Sequence, residues 1–291
     1  MDRDVALIGF GEAGRTFAES ARWGLRACAF DRKTDSAETR EDQLAVYRVA
    51  GVVPADTVAA AVTAPVLVSL VTADQALAAA RSVAGLGLGG AWYFDGNSVA
   101  PETKRRAAEA IERAGGRYVD MAIMAPVHPA RLDVPILLSG EQASEAQAVL
   151  RALGFRAVRM VGEHVGRASA IKMIRSVIVK GIEALTAECV LAASRADVLD
   201  EVLASLDASE RATAWHDRAD YSLDRMLVHG LRRAAEMEEV SSTLADLGIE
   251  PDMTRGTIVY QRALGMFGAT RPGAGLQAKL DIIENRGAKA A

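Results

Sequence analysis

The stretch LIGFGEAG, residues 7–14, decides the fold. Its glycines, Gly9, Gly11 and Gly14, follow an apolar run of strand character, VALIGF (5–10), and open a helical pattern over 12–23. In a strand–turn–helix unit each has a separate job. Gly9 permits the tight turn, Gly11 lets the backbone approach a diphosphate, and Gly14 lets the helix pack closely on the strand. The helix start offers free N–H groups and a partial positive charge to an anion. Alone the glycine pattern is weak. It gains weight from Asp31, which ends the next predicted strand, RACAFD (26–31), where a ribose-binding carboxylate belongs.

These residues predict a bound nicotinamide dinucleotide cradled by Gly9, Phe10, Gly11, Glu12, Ala13 and Gly14. Asp31 favours NAD over NADP, because a carboxylate accepts hydrogen bonds from the ribose hydroxyls and repels a 2′-phosphate. Arg32, with Lys33 behind it, is the residue that could neutralise such a phosphate.

The chain has 291 residues, which favours two domains. Half the residues are hydrophobic and the formal charge is −4 with no basic stripe, which argues against nucleic acid and anionic membrane as partners. Two cysteines, Cys28 and Cys189, lie in apolar segments and read as buried, reduced thiols of a cytoplasmic protein. The long apolar stretch around Val190 carries too many charges to span a membrane. His128, His164, His216 and His229 occur in no metal-ligand spacing, so no metal is expected.

Up to residue 161, apolar strands alternate with helical patterns, which predicts βαβ units and a parallel sheet. Further strands are expected at 65–71, 91–96, 117–123, 135–140 and 155–161, with a short one near Tyr47–Ala50. Helices are expected at 74–84, 101–114 and 142–153. From Gly166 onward only helical patterns occur: a long helix from Arg167 to Ala193, then 197–206, 208–218, 221–247 and 252–267, with a fraying tail after Arg271. The fold class is therefore an α/β Rossmann-type N-terminal domain with a parallel sheet, then an all-α C-terminal domain joined by a long interdomain helix. The expected domains are 1–164, binding the dinucleotide, and 165–291, serving substrate and dimerisation.

Five segments occur in an order that resembles the β-hydroxyacid dehydrogenases, the family of 6-phosphogluconate and 3-hydroxyisobutyrate dehydrogenases. They are the first strand, VTADQA (71–76), DGNSVAPET (95–103), VDMAIMAP (119–126) and GRASAIKMIRS (166–176). The resemblance implies a homodimeric oxidoreductase that moves hydride between a nicotinamide and a 3-hydroxy acid or its oxo acid. It places Lys172, six residues after Gly166, as the catalytic general acid/base. The chemistry agrees: alcohol oxidation needs a base for the hydroxyl proton, and a partly desolvated lysine has its pKa lowered toward neutrality. The same resemblance places Val71, Thr72 and Asn97 along the cofactor and Ser98 against the substrate.

Two departures from the family pattern concern the substrate. The segment normally reading Asp, small residue, Pro, Val, Ser, Gly is here Asp120, Met121, Ala122, Ile123, Met124 and Ala125, so the serine has become Met124. The asparagine normally three residues after the lysine is Arg175, followed by Ser176. A guanidinium grips a carboxylate bidentately, so the anion-binding role is expected to have moved to Arg175. The substrate contacts expected are thus Ser98, Met121, Ala122, Ile123, Met124, Arg175 and Ser176, with His229 and Arg233 from the helical part. Imine reductases share the architecture but usually carry Asp or Tyr at the lysine position. A dinucleotide-binding sensor or scaffold without chemistry is the remaining reading.

Overall fold

The computed structural model describes residues 3–209 and 213–287. The chain divides into two compact units, Met1–Val177 and Ile178–Ala291.

The first unit is built on an eight-stranded sheet: β1 Val5–Ile8, β2 Ala27–Phe30, β3 Val53–Pro54, β4 Val66–Ser69, β5 Trp92–Asp95, β6 Arg117–Ile123, β7 Ile136–Ser139 and β8 Val158–Gly162. Their order is β3-β2-β1-β4-β5-β6-β7-β8. Every pairing is parallel except β6 with β7. The parallel sheet expected from the sequence is thus found, with one antiparallel pairing inserted in it. Only one short 3₁₀ turn, Arg131–Asp133, lies between β6 and β7, so no helix carries the chain back for a parallel crossover.

Strand residues alternate between two buried layers. Val5, Leu7, Val119 and Met121 face helices α1 (Glu12–Ala21), α2 (Ala37–Ala50) and α6 (Ala143–Ala152). Ala6, Ile8, Leu67 and Tyr93 face α3 (Val58–Ala61), α4 (Ala76–Ala84) and α5 (Pro101–Arg113). Phe17 is fully buried and meets Phe155 edge-on at 4.9 Å. Each such side chain contributes about 1.5–3 kcal/mol by leaving water.

The strand expected near Tyr47–Ala50 is instead the last turn of α2. Gln43, Tyr47 and Ala50 are buried at helical spacing, and Tyr47 stacks edge-on against Phe10 at 5.1 Å. Gly51, at φ +73°, ends that helix in the left-handed region, and the strand follows at Val53.

The long helix α7, Arg167–Arg195, runs across the division between the units. The second unit continues with α8 (Leu199–Ser209), α9 (Trp215–Asp246), α10 (Asp252–Gly265) and α11 (Leu276–Gly287). Residues 221–247, expected as a separate helix from 208–218, belong to one long α9, and a helix stands where the tail was expected to fray. Glu188 of α7 caps α10, accepting the N–H groups of Met253 at 2.9 Å and Thr254 at 3.1 Å. Helices α9 and α10 touch where Gly230 faces Gly265. A Cβ on Gly230 would lie 2.2 Å from the Gln261 carbonyl, so only glycine fits.

Candidate functional site

The strand order reverses between β1 and β4, and the crevice there is where α/β sheets bind ligands. A cavity of ≈ 740 Å³ occupies it, lined by Gly9, Gly11, Asp31, Arg32, Val71 and Thr72 among the expected cofactor residues. The glycine turn fits a diphosphate. Gly9 has φ +89°, and a Cβ there would sit 2.6 Å from the Leu70 carbonyl oxygen. At Gly14 a Cβ would meet the Gly9 carbonyl at 3.1 Å, which brings α1 tight against the turn. Beside Gly11, by contrast, the space within 4 Å is open, as backbone approach by a ligand requires. Exposed Glu12 and half-buried Ala13 form the first turn of α1.

Phe10 is a buttress beneath the turn. Its ring is buried in the core, its N–H donates to Asp31 Oδ2 at 2.8 Å, and its carbonyl accepts from Gln43 Nε2 at 3.3 Å. Asp31 also accepts the Lys33 N–H at 3.0 Å. Burial, then the Asp31 charge, holds the neighbouring Tyr47 phenol well above its usual range. Arg32 donates to Gln75, which in turn donates to Asp74 at 2.7 Å. The hydrogen bonds of Gln75 and Thr72 lower the Asp74 pKa. Lys33, named beside Arg32 in the sequence, also lines the cavity, as do Thr39, Val58, Gln75, Ala78, Ala79 and Ser82, which were not singled out. Gln75, Ala78, Ala79 and Ser82 recur at helical spacing from the N-cap of α4 to its last turn, a signal visible beforehand.

Asn97 is buried at the end of β5. Its Oδ1 accepts the Val71 N–H at 2.7 Å and its Nδ2 donates to Ser69 Oγ at 2.9 Å, which ties its loop to the cavity rim. The adjacent Ser98 is exposed, and Lys172 Nζ donates to its Oγ at 2.7 Å. Two segments 74 residues apart thus converge on one amine–hydroxyl pair. Ser176, half-buried, donates from Oγ to the Lys172 carbonyl at 2.9 Å, and Arg175 is exposed one helical turn from Lys172.

The alternation of β6 splits the expected substrate segment. Met121 and Ile123, expected as substrate contacts, are buried in the layer facing α1 and α6 and pack in its core. Ala122 points to the other face, against Leu137 and Ala168 of α7, with half-buried Met124 beside them. Met124 also lines a ≈ 500 Å³ cavity with Ile171. In the second unit, His229 is exposed and lines a ≈ 340 Å³ cavity with Arg232, and Arg233 is half-buried.

A buried charge cluster escaped the sequence reading. Lys104 of α5 is fully buried, with Nζ 3.0 Å from Asp95 Oδ1 and 3.4 Å from Asp120 Oδ1. Tyr118 donates to Asp95 Oδ2 at 2.8 Å, and burial followed by the two aspartates pushes its phenol well above the usual range. Lysines and aspartates read as surface residues in sequence, so nothing local marked them. Among the described residues no group of three or more His, Cys, Asp or Glu is placed to hold a metal ion, and no helix is long and apolar enough to cross a membrane.

Comparison with known proteins places this geometry. Residues 193–264 match a domain of unknown function. An uncharacterised 28.5 kDa protein of Methanothermus fervidus is 27% identical over 165 residues, 57% of this chain, and the match spans 62% of that relative's length. A conserved hypothetical protein from Sinorhizobium meliloti 1021 is 36% identical over 98% of this chain and 97% of its own, with a TM-score of 0.60. A protein described as structurally similar to 3-hydroxyacid dehydrogenases is 32% identical over 96% of this chain and 99% of its own, with a TM-score of 0.58. The fold is also that of an imine reductase variant from Myxococcus stipitatus in complex with NAD+, at TM-score 0.73 and 21% identity over 97% of this chain and all of that one. Residues 4–162, more than half the chain, match the NAD binding domain of 6-phosphogluconate dehydrogenase, and with its glycine turn at the sheet crevice the chain belongs to that family of nicotinamide dinucleotide-binding dehydrogenases.

Proposed function

We propose that the protein is an NAD(P)-dependent oxidoreductase that moves hydride between the nicotinamide and a 3-hydroxy acid or its oxo acid. The contact between Lys172 Nζ and Ser98 Oγ carries this reading, because it puts a titratable amine beside the loop that Asn97 ties to the cofactor cavity. The bound dinucleotide supplies the hydride acceptor or donor. In oxidation the Lys172 amine takes the hydroxyl proton; in reduction its ammonium returns it. Ser98 fixes the direction of the amine. Arg175, exposed one turn on, takes the substrate carboxylate in place of the hydroxyl that Met124 has displaced. The methionine favours a bulky or partly apolar acid over a sugar phosphate.

NAD is the preferred cofactor in this reading, since Asp31 faces the cavity with both oxygens oriented by backbone N–H groups. Residues 1–164 hold the cofactor, and 165–291 supply the substrate contacts His229 and Arg233 and a homodimer interface. Ile178, Ile182 and Leu185 support that interface, being 44–48% exposed at helical spacing on α7. Cys28 is buried and Cys189, expected to be buried too, is exposed; both are unpaired, which accords with a reducing cytoplasm. Small molecules, and neither nucleic acid nor membrane, are the expected partners.

The test is a panel of 3-hydroxy acids and cyclic imines with each cofactor, following reduced nicotinamide absorbance. Turnover of a hydroxy acid that Lys172→Ala abolishes supports the reading. Turnover of imines alone would replace it with C=N reduction, the activity of the imine reductase that shares the fold. Tight NADH binding with no turnover on either class would make the protein a sensor.

A further inference from the structure

The cluster around Lys104 does more than fill space. A lysine in the first turns of a helix opposes the helix dipole, and full burial of its charge adds a desolvation cost. Its ammonium donates to the Asp95 carbonyl at 2.5 Å and to Asp95 Oδ1 at 3.0 Å, and it forms an ion pair with Asp120 Oδ1 at 3.4 Å, an oxygen with no hydrogen bond of its own. An apolar side chain of the same volume could pack there but could not join two carboxylates.

Each carboxylate holds one partner of the Lys172–Ser98 pair. Asp95 Oδ1 accepts the Asn97 N–H at 3.0 Å and so shapes the loop ending in Ser98. Asp120 Oδ2 accepts the N–H groups of Gly166 and Ser169, both at 3.1 Å, and the Ser169 hydroxyl at 3.2 Å. Ser139 Oγ, which donates to the same oxygen, accepts the Ala168 N–H at 3.0 Å. The first turn of α7, one turn before Lys172, is therefore capped by a carboxylate from β6. We propose that Lys104 is a positioning residue for Lys172: by bridging Asp95 and Asp120 it locks the Asn97–Ser98 loop to the start of α7 and sets the amine–hydroxyl contact. The role rests on Lys172 being the acid/base group, but its test needs no substrate.

The test is acetylation of the full-length protein at several pH values, with Lys172 and exposed Lys33 quantified by mass spectrometry alongside an NADH titration. In Lys104→Met the Lys172 amine loses the Ser98 oxygen that holds its charged form. Its labelling relative to Lys33 should rise by about threefold or more, the equivalent of about half a pH unit. Lys104 does not line the cofactor cavity, so NADH affinity should hold, and Lys104→Arg should restore slow labelling by keeping the cation. A folded, NADH-binding Lys104→Met protein whose Lys172 profile matches the wild type would overturn the role, as would Lys104→Arg behaving like Lys104→Met. If Lys104→Met loses NADH binding, the double variant Asp95→Asn/Lys104→Met removes the uncompensated carboxylate and is read the same way. Loss of NADH binding there too would make the cluster scaffold only and overturn the proposal. A wild type inert toward every hydroxy acid would sink the proposed reaction while leaving this result readable.

Discussion

Asp31 Oδ2 accepts the backbone N–H of Phe10 at 2.8 Å, joining the end of β2 to the middle of the glycine turn. One side chain thus braces the diphosphate cradle and presents charge to the cavity where a ribose would lie. Each carboxylate oxygen keeps a lone pair for a ribose hydroxyl after taking its backbone N–H.

Replacing Asp31 by Ala should therefore weaken NADH binding and narrow any preference over NADPH. Charge-assisted hydrogen bonds contribute about 1.5–3 kcal/mol, so roughly tenfold or more in Kd is expected. Fluorescence titration with both reduced cofactors measures it, and an unchanged NADH-to-NADPH ratio would remove Asp31 as the discriminator.

Gly9→Ala should damage both fold and cofactor binding. Its φ of +89° strains any L residue, and the new methyl would press 2.6 Å from the Leu70 carbonyl. Backbone strain alone is worth about 1–3 kcal/mol. Urea unfolding should show that loss, and Gly11→Ala, in open space, should spare stability while reducing NADH affinity.

Kinetics separate Lys172 from Arg175. Lys172→Ala should lower turnover of the true substrate by about 10²–10⁴-fold with NADH affinity retained. Arg175→Ala should raise KM for the acid with a smaller change in kcat. A KM that stays put would return the carboxylate-binding role to the backbone around Met124.

Alkaline pH should destabilise the fold. The phenols of Tyr47, Tyr93 and Tyr118 are raised by burial first, then by nearby aspartates. Their unfolded pKa is about 10, so above that pH the unfolded chain binds fewer protons than the native one and stability falls as pH rises. Each phenol contributes up to about 1.4 kcal/mol per pH unit. Tyr118→Phe should flatten the fall in chemical denaturation measured across this range, and an unchanged slope would show that Tyr118 is not among its causes.

Local chemistry made the first unit legible. Glycines, helical period and β-branched runs act within a few residues of themselves, so β1, α1, β2 and the cavity edge at Val71 could all be read from the chain. The edge strand β3 was misplaced because Tyr47 and Val49 look like strand residues. Only contact with Phe10 shows that Tyr47 belongs to a helix. Likewise only the pleat of β6 shows that Met121 and Ala122 lie in opposite layers.

The sequence by itself determined the glycine turn and the alternation of strands and helices, because each is a short-range pattern, and it named the lysine at 172 through the order of five segments shared with a known family. Tertiary structure alone decided that Lys172 meets Ser98, that β7 runs against β6, and that Lys104 bridges Asp95 and Asp120. For Lys104 the physical reason is burial: a buried charge is tolerated only with partners brought from distant strands, and no local pattern encodes which strands those will be.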